Sequence, residues 1–263
     1  MSAPPASRAL LEAPPLLDAA IAELSLANRS PWRPGRRDAW WWLALPLAIA
    51  VALVAIYAVA PDFYGDWVLP EGYGFLEVTQ FLECMAGFGI CLWILERRVV
   101  KGWPLLWRIV LLLAVVCLYI GGEEMSWGQH WFGWGTPEVW GGINRQDETN
   151  LHNTNYVFNQ LPQLILEIGI AIGGIILPLL HRVLGRFQAW FLNLFAGPLE
   201  LLPVALLVFS IKGLSTLQKK GIAVDLLQRP SEAMELYYYM FILFYLVVLA
   251  RRIMLLDSIE TSA

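Results

Sequence analysis

The sequence predicts an all-α polytopic membrane bundle of about six transmembrane helices, with a structured outer loop between the third and fourth. Three observations carry that prediction. The 263 residues are 58% hydrophobic and only 15% charged, whereas soluble domains are nearer one quarter charged. Apolar runs of about twenty residues recur, each long enough to cross a hydrocarbon core about 30 Å thick. Lys and Arg collect in alternate connections, as they do in membrane proteins of fixed orientation.

Residues 1–38 contain Pro4, Pro5, Pro14 and Pro15 and no continuous apolar core, which argues against a secretory signal peptide. Leu16, Leu17, Ala20, Ile21 and Leu24 recur at helical spacing, so this tail is read as cytoplasmic with a short amphipathic helix. A transmembrane domain follows over 39–256, and 257–263 form a C-terminal tail. Arg33, Arg36 and Arg37 precede Trp40, Trp41 and Trp42, a basic and aromatic border that marks a membrane interface. The first span runs from there to Ala60. Further spans are expected at roughly 73–95, 103–121, 161–180, 188–211 and 236–254.

Arg97, Arg98 and Lys101, then Arg182 and Arg186, then Arg251 and Arg252 mark the cytoplasmic connections and terminus. Asp62, Asp66 and Glu71 are unaccompanied by Lys or Arg in the first connection, and the third has only Arg145. Both are therefore placed outside, with the N- and C-termini inside. The fifth connection carries Lys212, Lys219, Lys220 and Arg229 and breaks the rule. An even number of spans still puts it outside.

The fifth span contains GPLELLP over 197–203, and prolines at those positions are expected to break it in mid-membrane. The fourth carries Gly169, Gly173 and Gly174, a small-residue face suited to close helix contact. Cys84, Cys91 and Cys117 fall in apolar runs and are read as core packing. The net charge of -4 has no long basic block, so no nucleic-acid partner is expected. The bilayer itself is the first partner.

Acids inside spans are costly in lipid and turn toward a bundle interior or a wet cavity. Glu77, Gln80 and Glu83 lie within about a 120° arc of the second helix. Glu167 enters with the fourth helix, Glu200 sits in the fifth, and Glu232 and Glu235 start the sixth. Together these residues predict a carboxylate-lined cup at the outer face, lidded by the loop over 122–160. The same acids would also serve as hydrogen-bonded pairs that fix helix register.

The lid holds the remaining candidates. Glu123 and Glu124 are the acid or base pair, and His130, Glu148 and His152 are the candidate metal ligands. Glu148 and His152 stand four apart, a helical spacing that lets a carboxylate and an imidazole share a cation. Oxygen and imidazole without thiolate suits zinc, manganese or iron. Asp147, Asn150, Asn153 and Asn155 surround the pair. If the third helix continues, Glu123, Trp127 and His130 share a face with Glu123 and His130 about 10 Å apart along the axis, too far for one ion. A break near Gly121, Gly122 or Gly128 would bring His130 back toward Glu123 or Glu124. Ser126 with His130 is a weaker nucleophile and base pair, because no nucleophile elbow surrounds it.

The segments GEEMSWGQ, TPE at 136–138 and NRQDETNLHN resemble a set of uncharacterised bacterial polytopic membrane proteins that carry GEExSWGQ and NLHN. The resemblance spans about thirty-five residues, implies a bacterial inner membrane and brings no activity with it. Glu123 and Glu124 also resemble the diglutamate of intramembrane CAAX-protease relatives. No arginine follows at the matching place and His130 and His152 share one loop, so that assignment is not adopted.

Three functions stay open at this point. One is a metal-dependent hydrolase or transferase acting on a lipid or lipid-linked substrate. The second is an accessory subunit whose Trp-rich lid packs on membrane protein partners. The third is a proton-coupled or cation carrier that relays through the buried glutamates.

Overall fold

The computed structural model describes residues 40–144, 148–151, 154–184 and 194–262. Six helices among them are long and apolar enough to cross a membrane: α1 (Trp40–Val59), α2 (Phe75–Leu95), α3 (Pro104–Glu124), α4 (Gln160–Leu184), α5 (Leu199–Lys219) and α6 (Pro230–Ser258). A helix of 21 residues, the length of α2 and α3, is about 31 Å long and matches the hydrocarbon thickness. The described residues contain no strand. The chain is an all-α, polytopic integral membrane protein, and its tail over 1–38 lies outside the described residues.

The first three helices fall where apolar length and interfacial tryptophans put them. The fifth does not. Pro198 caps a short 3-10 turn, Leu199–Leu201, and Pro203 sits in the first turn of the helix Leu202–Lys219. First-turn positions need no N–H donor, so proline starts a helix there at little cost. The expected mid-membrane break is therefore corrected. The prolines begin α5, and Glu200 belongs to its first turn rather than its middle. The α6 helix starts at Pro230 and continues to Ser262, well outside the expected 236–254.

The α6 helix is the axis of the bundle. Leu236, Tyr237, Tyr238 and Leu246 on it are fully buried. Three consecutive tyrosines leave it about 100° apart and each ties a different helix. Tyr237 donates to the Pro46 carbonyl of α1 at 2.9 Å, Tyr238 to Glu167 of α4 at 2.7 Å, and Tyr239 to Glu124 of α3 at 2.7 Å. A phenol in a span needs such a partner because lipid supplies none.

Small residues set the closest approaches. A Cβ on Gly174 would lie 2.5 Å from Phe241 of α6 and 2.9 Å from Ala205 of α5. A Cβ on Gly121 would lie 2.6 Å from Met85 of α2. Gly173 and Gly174 also sit in a π-turn, Ala171–Ile176, whose wider winding lets the chain before α5 approach, with Gly197 packed on the Gly173 carbonyl. Of the expected small-residue face, Gly174 carries the side-on helix contact. Cys84, Cys91 and Cys117 are all reduced and buried.

The two ends of the bundle differ. At one, Arg252 is buried and donates to the carbonyls of Leu194 and Ala196, while Asp257 accepts from the Val99 amide at 3.2 Å. At the other, the connections around Gly72, Ser126–Asn144, Glu148–Leu151 and Arg229 meet over a cavity. That second end is the lid end.

Candidate functional site

The lid begins with a reversal of the backbone. Ser126, Trp127 and Gly128 adopt φ of 45°, 56° and 95°, three left-handed residues in a row. For the two that are not glycine this costs about 1–2 kcal/mol each, and such strain persists only where surroundings over-determine it. Glu123 supplies part of that support. Its Oε1 accepts from Trp127 Nε1 at 2.9 Å and its Oε2 from the Leu151 amide at 2.6 Å. The continuous third helix is thus ruled out, and the break is real.

After the break, His130 turns to Glu148 rather than to the diglutamate. The two meet at 2.8 Å, Nε2 to Oε1, in a contact whose tautomer follows from the proton's position. Asn150 donates from Nδ2 to Glu148 Oε2 at 2.6 Å and to Ser126 Oγ at 3.0 Å. Asn150 is held in turn by Asn144, whose Nδ2 reaches its carbonyl and its Oδ1, both at 2.9 Å. Gln129 clasps the other side. It accepts from the Thr149 amide at 2.7 Å and donates to Thr136 Oγ1 at 2.8 Å. The three sequence segments singled out for their resemblance are therefore one hydrogen-bonded unit. Ser126 serves in it as an acceptor and is buried, and the proposed Ser126–His130 pair does not form.

Under this lid lies a cavity of about 400 Å³. Glu71 and Glu77 border it from the α2 side, Glu124 from α3, Glu148 from the lid, Glu167 from α4, and Glu232 and Glu235 from α6. Lys212, Lys219 and Arg229 line it as well, so seven carboxylates face three basic groups, an excess of four. Each acid is positioned by a neighbour from another element. Glu77 accepts from the Gly72 amide, Glu235 from Gln163 at 2.6 Å, Glu124 from Tyr239, and Glu167 from both Tyr238 and Lys212. Arg229 reaches Glu71 at 3.3 Å and Glu232 at 3.2 Å through one nitrogen. Just outside the spans, the buried phenol of Tyr64 is pushed up to about 12 by its burial first, then by Glu232 and Tyr57.

The expected cup is present, with a corrected membership. Glu77, Glu124, Glu148 and Glu167 line it. Glu123 does not, because its carboxylate holds the lid. Gln80 is fully buried and donates to the Glu232 carbonyl at 2.9 Å, and Glu83 is buried beneath. Gln80 thereby ties α2 to the start of α6 behind the cavity. Glu200 lies by the opposite end, within electrostatic range of Arg252. His130 reaches the cup only through Glu148. His152, Asp147 and Asn153 lie outside the described residues. Among those described, no three His, Cys, Asp or Glu side chains converge to hold a metal ion.

Sequence reading missed Lys212, Arg229, Tyr238 and Tyr239 as site residues. The signal for the tyrosines was a run of three phenols at the start of a span, where only hydrogen-bonded phenols are affordable. For Lys212 it was a lysine within seven residues of the end of α5. No protein-family model matches the chain, and no curated protein or solved structure is significantly similar to it.

Proposed function

We propose that the acidic cup is the reaction site of a membrane enzyme, a hydrolase or transferase acting on a lipid or lipid-linked substrate. The observation that carries this is the cavity itself. A polar chamber lined by seven glutamates at the interface end of a lipid-embedded bundle is where an amphiphile can present its headgroup while its chains remain in the bilayer. We place this end at the outer face of a bacterial inner membrane, because Arg97, Arg98, Lys101 and Arg251 gather at the other.

Glu148 is the base and Glu124 the acid. Glu148 is held through both oxygens by His130 and Asn150, and Glu124 is held by Tyr239. In hydrolysis, Glu148 takes a proton from water as the water oxygen bonds to the headgroup centre. The bond to the leaving oxygen breaks, and a protonated Glu124 gives that oxygen its proton. In transfer, an alcohol replaces the water. Positioned proton transfer contributes about 10²–10⁴-fold each.

Headgroup release from a panel of phospholipids and lipid-linked substrates, measured on the purified protein, tests this. Glu124→Gln and Glu148→Gln should each lower turnover by about 10²–10⁴-fold with folding retained. Turnover unaffected by both substitutions rejects the assignment. A metal-dependent form would use His130, Glu148 and His152 with zinc, manganese or iron. Elemental analysis beside a Glu148→Ala, His152→Ala variant decides it, and no metal in either protein removes that form.

Cation handling is a second reading, favoured by the ion pair of Lys212 with Glu167 between two spans. Flux unchanged in Glu167→Gln would dismiss it.

A further inference from the structure

We propose that one wall of the cup recognises phosphate, so that the amphiphile it receives carries a phosphate in its headgroup. This rests on the reading of the cup as a site for an amphiphile.

The end of α5 and its connection to α6 break the charge rule for orientation, with Lys212 and Lys219 in the helix and Lys220 and Arg229 after it. Three of those four line the cavity. Basic residues on the disfavoured side of a membrane oppose the topological signal, and here their side chains share one destination. Lys212, Ser215, Thr216 and Lys219 all border the cavity, at the i, i+3, i+4, i+7 spacing of a single helix face. Arg229 and Ser231 continue the wall across the start of α6. Hydroxyls alternating with cations form a surface of donors, which is what a phosphate oxygen requires.

Much of that donor capacity has no protein partner. Arg229 uses only Nη2 for its two carboxylates, and Nη1 and Nε donate to nothing among the described residues. Lys219 makes no ion pair there, and Ser215 and Ser231 make no side-chain hydrogen bond there. Arg229 is also held at φ 48° directly before Pro230, a conformation unfavourable for a side chain of that size. The strain aims a guanidinium across the first turn of a 33-residue helix, whose amide dipoles attract anions. Lys212 and Arg229 already pair with Glu167, Glu71 and Glu232, so phosphate on the donors left over and Glu124 and Glu148 on α3 and the lid would hold a headgroup between its charge and its reacting bond.

The test is native mass spectrometry of the full-length protein in detergent, titrated with dihexanoyl phosphatidylethanolamine, dihexanoylglycerol and inorganic phosphate. The phospholipid should bind about tenfold or more tighter than dihexanoylglycerol, the ratio expected of charge-assisted hydrogen bonds. Lys219→Gln, an exposed change on α5, should remove much of that preference without moving the melting temperature. Glu148→Gln should leave it in place. Equal binding of inorganic phosphate supports the wall and assigns it to a soluble phosphate ester. Equal binding of dihexanoylglycerol, or a preference untouched by Lys219→Gln, overturns the inference while the cup as an amphiphile site stands. Binding of neither amphiphile overturns both.

Discussion

Replacing Gly72 by alanine should unseat the lid, and the size of the effect follows from two independent costs. Gly72 has φ 79°, a region that penalises a Cβ by about 1–2 kcal/mol. The new Cβ would also lie 2.3 Å from His130 Cγ and 2.5 Å from His130 Cβ. Those atoms are at the root of the side chain, so rotating the imidazole does not clear them and the lid backbone has to move. Movement of that order breaks the 2.8 Å contact with Glu148, a hydrogen bond to a charged group worth about 1.5–3 kcal/mol. The total is about 2.5–5 kcal/mol, at or above the upper end of what single substitutions usually cost. Gly65→Ala is the control in the same connection. A Cβ there meets nothing within 4 Å and its φ is ordinary, so exchanging glycine for alanine in a helical turn should stabilise by about 0.5–1 kcal/mol. Equilibrium unfolding in mixed detergent, with hydrogen exchange across 126–150, reads both variants. Gly72→Ala as stable as the parent, or Gly65→Ala equally damaging, refutes the packing of the lid on this connection.

Tyr238→Phe removes a hydroxyl from Glu167 inside the bundle and should cost about 1–3 kcal/mol in the same unfolding assay; no change would deny that the phenol ties α6 to α4. Asn155 caps the helix that begins at Tyr156 and leads into α4, accepting from the Val157 amide at 2.8 Å, so Asn155→Ala should cost about 1 kcal/mol and raise exchange at residues 157–160. Tyr64 favours its neutral form in the folded state, with a pKa of about 12 against the usual 10. The unfolded chain therefore loses that proton first as pH rises, and stability should fall between pH 10 and 12 by about 2–3 kcal/mol. Tyr64→Phe should flatten that part of the pH profile, and an unchanged slope would count against the burial of the phenol.

The fold was legible wherever a single physical quantity dominated. Apolar length placed both ends of α2 and α3 to within about three residues, because a lipid core tolerates few substitutes for a helix of that length. Proline was harder to read, since its meaning depends on position. Pro198 and Pro203 break a helix that has begun and start one that has not, and the composition around them does not distinguish the cases. The acids pointed to the cup because a carboxylate in a span requires a polar neighbourhood, yet they did not reveal which of two adjacent glutamates faces it. Glu123 and Glu124 differ by 100° around the helix. Only the packed position of α6 decides that Tyr239 receives the second. The encounter of His130 with Glu148 was hidden for another reason. It depends on the left-handed turn at Ser126 and Trp127, where two residues without glycine's freedom adopt a strained conformation that propensity argues against.

A reaction site in the cup requires that water reach it from the outer face. Ser215 lines the cavity, and the three native cysteines are buried, so Ser215→Cys introduces one reactive thiol on a quiet background. Modification by a membrane-impermeant maleimide is measured in right-side-out and inverted vesicles. Labelling is expected in right-side-out vesicles, slowed by phospholipid but not by diacylglycerol. No labelling from either side would mean that the chamber is closed to water, and labelling only in inverted vesicles would contradict the orientation on which an outer-face site depends.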